Sequence, residues 1–323
     1  MWSITCKPMG KIFDPRDHKL PLGCEEFAQS PQTLIFSDRV RVYFSTRVRE
    51  ESGMYLSHVA YVDLSKDLKS VMSVSQGSVI PLGDLGCFDE HGIFPINVIR
   101  HHDEIYAYTC GWSRRVAVSV ETGVGFAIST DEGRTFKKLG AGPILSSSQN
   151  EPYLVGDAFV KVFDGLFHMW YMFGVGWKNF EGQGQPDRIY KIGHATSKNG
   201  VDWCKDEGKQ IVPDKLGEDE SMALPTVIEY DGLYHMFFCY RESSDFRTAS
   251  GRGYRIGYAY STDLSNWNRD DGKLRLSESL SDWDGEMQCY PHVFELDGKV
   301  FLLYNGNQFG RYGFGAVELV FND

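Results

Sequence analysis

The chain has no long helical pattern. No apolar stripe with a 3.6-residue period runs beyond two turns, which excludes an architecture built on amphipathic helices. No apolar stretch is long enough to span a bilayer. Residues Met1 to Gly23 lack the apolar core of a secretory leader, because Cys6, Lys7, Lys11, Asp14 and Arg16 interrupt them. Cysteine is sparse and odd in number: Cys6, Cys24, Cys87, Cys110, Cys204, Cys239 and Cys289, with no C-x-x-C pair. A cytoplasmic, reduced protein is the expectation, with Cys110 and Cys239 packing as small hydrophobes in strands. Basic residues are outnumbered, 33 Lys and Arg against 44 Asp and Glu, for a net charge of −11. That balance counts against nucleic acid or an anionic membrane as a partner. There is no P-loop and no dinucleotide fingerprint, and the glycines sit in strands and turns. The His and Cys positions lack ligand spacing, so neither a metal nor a cofactor is expected.

What the 323 residues do contain is a repeat. Leu224-Pro-Thr-Val-Ile-Glu-Tyr-Asp-Gly-Leu-Tyr-His-Met-Phe-Phe parallels Tyr290-Pro-His-Val-Phe-Glu-Leu-Asp-Gly-Lys-Val-Phe-Leu-Leu-Tyr. A third copy starts at Asp157-Ala158, and looser ones at Ser30-Pro31 and Phe94-Pro95. The anchors Pro31, Pro95, Ala158, Pro225 and Pro291 are 64, 63, 67 and 66 residues apart. Five such units account for essentially the whole chain, and a fixed period of this length marks a repeat architecture.

Each unit reads as an apolar run, a turn and a second, aromatic-rich run. The turn is Asp-Gly at Asp164-Gly165, Asp231-Gly232 and Asp297-Gly298, a strong hairpin signal because glycine supplies the positive φ of a tight turn. A third run follows, small and alternating, as in Ile256-Gly-Tyr-Ala-Tyr-Ser. A polar turn closed by an aromatic comes next: Ser129 to Phe136, Ser197 to Trp203 and Ser261 to Trp267. There Asp or Asn bonds the turn backbone and the aromatic packs between sheets. With a fourth strand after each turn, the expectation is an all-β, five-bladed β-propeller of four-stranded antiparallel blades around a central funnel. It is read as one domain over 1–323. The blades fall at 24–86, 87–150, 151–217, 218–282 and 283–323, and segment 1–23 is available to complete the last. Two β-sandwich domains are the rival, and the even spacing argues against them.

Strands alternate direction, so the start of a first strand, the end of a second and the start of a third meet at one face. Ahead of first strands stand Glu26, Glu90 with His91, Asp157, Glu220 and Glu286. At second-strand ends stand Arg47, Trp112, Trp177 and Arg241. Near third-strand starts stand Arg188, Tyr190, Lys191, Tyr254, Arg255 and Arg311. Carboxylates, aromatics and arginines converging on one concavity suit sugar recognition, since rings stack on C–H faces and charged forks bond hydroxyls or anions. The Glu that recurs five residues before the anchor proline (Glu26, Glu90, Glu220, Glu286) also suits a fixture for the incoming loop. Asp157 breaks the repeat, where other units carry Ser30, Phe94, Leu224 and Tyr290. Glu220 and Glu90 each have an acidic neighbour, Asp219 and Asp89, whose charge would raise a carboxyl pKa.

The Pro-x-Val phrase running into Asp-Gly-x-Tyr-His-Met-Phe, with the Ile-Gly-x-Ala-x-Ser and Ser-x-Asp/Asn…Trp segments, resembles the propeller glycosidases of families 43 and 32 and the mannoside phosphorylases of family 130. The resemblance covers all five units. It implies a carbohydrate-active enzyme that cleaves a glycosidic bond by carboxyl acid–base catalysis. Asp157 would orient the sugar and tune the acid, Glu220 would protonate the leaving oxygen, and Glu26 or Glu90 would activate water. Arg47, His91, Trp112, Trp177, Lys191, Arg241, Arg255, Glu286 and Arg311 would bind an oligosaccharide, including an anionic or phosphorylated one. Ser30-Pro31 stands where family 43 enzymes carry a first-blade Asp. Two alternatives therefore stay open: a phosphorylase or glycosyltransferase with arginine-held phosphate or sugar nucleotide, and a non-catalytic glycan-binding propeller.

Overall fold

The computed structural model describes residues 2–182, 184–278 and 280–322. Its regular structure is strand, joined by short 3-10 turns. Among the described residues the strands fall into five four-stranded antiparallel sets. The first comprises Glu26–Ile35, Val40–Arg49, Tyr55–Leu64 and Val71–Val74. The second comprises Gly92–His101, Glu104–Arg114, Val120–Ser129 and Lys137–Lys138. The third comprises Val155–Phe163, Leu166–Lys178, Asp187–Ser197 and Cys204–Lys205, and the fourth Ser221–Tyr230, Leu233–Arg241, Arg255–Ser261 and Asn268–Arg269. In the fifth, Cys289–Leu296, Lys299–Asn305 and Phe314–Asn322 are completed by the N-terminal strand Ser3–Phe13, which pairs with Phe314–Asn322. A parallel pairing, Ser57 with Gly92, ties the first set to the second. No helix among the described residues is long and apolar enough to cross a membrane.

The hairpins follow from the turn chemistry. Asp164-Gly165, Asp231-Gly232 and Asp297-Gly298 all take positive φ at both residues, the conformation of a two-residue hairpin turn. The polar turns work as their composition suggests. Asp131 Oδ1 accepts the N–H groups of Arg134 and Thr135, Asn199 those of Val201 and Asp202, and Asp263 those of Ser265 and Asn266. The closing aromatic of each turn packs on a second strand of the set before it: Phe136 on Tyr43, Trp203 on Tyr108 and Trp267 on Trp170.

The first strands of successive sets neighbour one another in a closed cycle, the fifth beside the first. Five apolar clusters fill the spaces between adjacent sets, and the one joining fifth to first contains Phe13, Phe44, Phe294, Leu303 and Phe314. Each fully buried Leu or Phe side chain contributes about 1.5–3 kcal/mol. Polar side chains add cross-links near the axis. Asn97 Nδ2 donates to Gln32 Oε1 and Asn97 Oδ1 accepts Val160 N–H, so one side chain joins three first strands. Thr226 Oγ1 accepts Val293 N–H, and His292 Nε2 accepts Thr33 N–H.

Every first strand is irregular near its start, where its register with the second strand shifts. Ser30, Asp157, Leu224 and Tyr290 have φ of 53°, 52°, 49° and 58° at these bulges. In the second set the same position is Phe94, which precedes a cis Pro95. An extra residue in a strand re-aims a side chain, and here the side chains of Phe94, Asp157, Leu224 and Tyr290 face the mouth of the ring, while Ser30 stays buried.

Candidate functional site

The bulges surround a funnel of about 840 Å³. Its wall is built from the strand ends that alternation brings to one face. First-strand bulges supply Phe94, Asp157, Leu224 and Tyr290, second-strand ends supply Arg47, Cys110 and Trp112, and third-strand starts supply Tyr55, Thr122, Arg188 and Tyr190. Loops add Arg247, Glu286, Phe309 and Arg311. Leu154 and Met172, which also reach the lining, pack with Ala223, Cys239 and Cys289 behind it as an apolar backing.

Asp157 is the chemically distinctive group. It is 8% exposed, and burial pushes its carboxyl up to about 7, partly offset by a hydrogen bond with the Cys110 thiol and by the charge of Arg188. Taking a carboxylate out of water disfavours its ionised form, and neither partner restores the balance. Burial and the neighbouring Asp157 in turn push the Cys110 thiol far up, so that it stays a thiol. Arg188 Nη1 donates to Ser119 Oγ at 3.2 Å. Tyr190, two residues along the strand from Arg188, shares a hydrogen bond with Tyr254 between their hydroxyls.

Of the residues singled out from sequence, the structure brings Asp157, Arg47, Trp112, Glu286 and Arg311 into one lining. It does not bring Glu220 there. That carboxylate is 1% exposed, meets Arg269 Nη1 at 2.8 Å and accepts the N–H groups of Lys215 and Leu216, so it clamps the incoming loop onto the outermost strand. The same device recurs with other residues: Glu151 meets Lys205 at 2.7 Å, and Asp89 pairs with Lys138. Glu90 accepts Gly86 N–H at 2.8 Å, away from the lining. Glu26 is clasped by Arg311, which holds its carboxyl below the usual range, and it faces an adjoining groove. The recurring Glu therefore occupies four different environments, and Glu220, Glu90 and Glu26, expected as funnel acids, lie outside the funnel lining.

Five expected binding residues also lie outside the lining. Lys191 Nζ donates to Asp214 Oδ1 at 2.6 Å and to the carbonyls of Glu218 and Glu220. Arg241 is buried behind the wall, over Phe246 at 3.6 Å and donating to Tyr190 Oη at 3.2 Å. Arg255 donates to the carbonyls of Gly251 and Gly253. Trp177 packs against the apolar backing, and His91 stacks behind Trp112 with ring centroids 5.9 Å apart. Each has been taken up by local partners. Sequence reasoning missed Arg247, which sits in the loop between Leu233–Arg241 and Arg255–Ser261, where no strand register places a side chain, and the role of Cys110 beside Asp157. Among the described residues no group of three His, Cys, Asp or Glu is placed to hold a metal ion.

No protein-family model matches the chain. In sequence it is 31% identical over 317 residues to each of two uncharacterized proteins of Mycobacterium tuberculosis, MT1551 and Rv1502, a span covering 98% of this chain and 99% of each relative. In structure it is similar to a glycoside hydrolase with a TM-score of 0.69 at 15% identity, covering 98% of this chain and 92% of that one. It is similar to a thermostable family-43 glycoside hydrolase with a TM-score of 0.62 at 16% identity, covering 94% and 91%. It is also similar to a β-1,2-mannobiose phosphorylase from Listeria innocua with a TM-score of 0.64 at 12% identity, covering 97% and 96%. Likeness at such identities shows the fold: the all-β scaffold of the propeller glycosidases, as the sequence resemblance implies.

Proposed function

The chain belongs to the same family as the mycobacterial proteins MT1551 and Rv1502, and from that premise we propose that it is a five-bladed propeller enzyme acting on glycosides in its funnel. The five four-stranded sets are its blades. Asp157 is the proton donor: its proton passes to the glycosidic oxygen as the bond from that oxygen to the anomeric carbon breaks. The acceptor's oxygen bonds the anomeric carbon and gives up its own proton to a base, Glu286 where the acceptor is water. The observation that carries this reading is the buried carboxyl aimed into the funnel with a pKa near 7. A general acid works best when its pKa lies near the operating pH. Hydrolysis also needs a group to activate water. Glu286, exposed at the mouth, is a second carboxyl of the lining.

A second reading keeps the same acid and replaces water with phosphate or a sugar hydroxyl, as in phosphorolysis or transfer from a sugar nucleotide. The arginines of the lining favour it over simple hydrolysis. Five of the seven cysteines are buried, and this reading places the chain in a reducing setting where such activated sugars occur. The test is incubation of the purified chain with a panel of oligosaccharides, with and without phosphate, and then with sugar nucleotides. Phosphate-independent sugar release supports hydrolysis, whereas phosphate-dependent release of a sugar phosphate, or transfer from a nucleotide, supports the second reading. Asp157→Asn abolishes turnover in either case. Tight glycan binding that survives Asp157→Asn, with no turnover by the parent protein, would leave only a glycan-binding role.

A further inference from the structure

The lining of the funnel is more basic than the chain. The protein carries a net charge of −11, yet four arginines and two carboxyl groups meet here among the described residues. Two of the arginines have other commitments. Arg311 is clasped to Glu26 through Nη2 at 3.0 Å and through Nε. Arg188 bonds Ser119 and lies within the field of Asp157.

Arg47 has no such partner. It lies near the end of the second strand of the first set, directly opposite Glu26 in the ladder, but Glu26 turns its carboxylate to Arg311. Its guanidinium is held over the ring of Phe27 at 4.7 Å with Tyr55 at 5.9 Å. Its Nε is buried with no hydrogen-bond acceptor, and no acidic side chain pairs with it among the described residues. Burial holds its pKa down, and so does the like charge of Arg247. Arg247 is itself stacked on Phe246 at 4.6 Å and Phe309 at 5.0 Å. Arg47 is half-buried and Arg247 is exposed at the mouth, and two like charges held on aromatic faces at one opening, the inner one short of an acceptor, favour an anion beside them. The planar fork of arginine matches carboxylate and phosphate oxygens.

We propose that Arg47 and Arg247 form an oxyanion site in the funnel, filled by a carboxylate or phosphate group borne by the sugar or by free phosphate. The inference rests on the reading of the funnel as a glycoside site and names the chemical class of what enters it.

The test is calorimetric titration of the full chain with glucuronic acid, glucose 6-phosphate, inorganic phosphate and glucose. The charged probes bind, their affinity falls with rising salt, and glucose does not compete with them. Arg47→Met weakens the charged probes by roughly 10- to 100-fold, the loss of a charge-assisted pair, and Arg47→Lys weakens them less. Phosphate binding as well as the charged sugars assigns the anion to a free co-substrate, and a preference for either charged sugar assigns it to the substrate. Equal binding of glucose and the charged probes by the parent protein overturns the site, as does parent-like binding of the charged probes by folded Arg47→Met. Anion binding without turnover of any glycoside would sink the enzymatic reading and leave this site standing. Turnover of neutral glycosides without anion binding would do the reverse.

Discussion

Replacing Asp157 with Asn isolates the feature on which the proton-donor reading depends. In the folded chain the carboxyl titrates near 7, against an ordinary value of 3.8. A group whose folded pKa is raised binds its proton more tightly in the folded state. Its contribution is most favourable below pH 3.8 and is lost progressively as pH rises through 7. The difference between those two values corresponds to about 4 kcal/mol, almost all of it developing between pH 4 and pH 8. Asparagine has nearly the same shape and never ionises, so the variant escapes this loss. At an unfolding entropy of ~2 cal/mol/K per residue, 4 kcal/mol corresponds to roughly 6 °C in Tm for a chain of this length. The assay is a series of melting curves from pH 4 to pH 8 for both proteins. The parent should lose about 6 °C relative to Asp157→Asn across that window, with the variant the more stable at pH 8. Parallel curves would mean that Asp157 ionises like an ordinary surface acid, and the proton-donor reading would fall with them.

Two further substitutions separate scaffold from site. Glu220→Gln removes a charge from the buried pair with Arg269 and should destabilise the fold by about 3–5 kcal/mol. Ligand affinity of the folded fraction should stay unchanged, so a selective loss of binding in denaturation-matched titrations would return Glu220 to the funnel. Asn97→Ala deletes the side chain that joins three first strands and leaves the buried Val160 N–H without its acceptor. Urea unfolding should show a loss of about 1–3 kcal/mol, and a change under about 0.5 kcal/mol would mean that the axial cross-links are incidental.

Much of this fold is written in local chemistry. Asp164-Gly165 and its two counterparts specify hairpins because few residues accept positive φ twice in succession. The polar turns at Asp131, Asn199 and Asp263 bond their own backbone. The fourth strands were legible only by counting. Lys137–Lys138, Cys204–Lys205 and Asn268–Arg269 are two residues long and carry no alternation to read. The site was legible as far as strand direction decides it, which covers Arg47, Trp112 and Asp157. It was not legible where a partner distant in sequence decides it. Asp219 and Glu220 are adjacent carboxylates. Glu220 turns inward to Arg269 and Asp219 turns out to Lys178, a choice that the two residues do not contain.

The first-strand bulge joins the legible part to the illegible one. Ser30, Asp157, Leu224 and Tyr290 share one backbone conformation despite having nothing chemical in common. For a residue with a β-carbon that conformation costs about 1–2 kcal/mol. Because Leu224 and Tyr290 bear it with side chains that only seal the wall, it belongs to the ring and is not a mark of catalysis. Strain at Asp157 therefore argues nothing about function by itself. What distinguishes Asp157 is the environment that the bulge delivers it to: apolar backing, a thiol too weakly acidic to ionise, and one arginine too few to hold the carboxylate charged. A repeat fold of this kind offers related places to aim a side chain into the funnel, here Phe94, Asp157, Leu224 and Tyr290. Chemistry enters where one place is filled by a group that its surroundings make reactive, which is why comparison of the repeats finds the position and only the packed structure finds the proton.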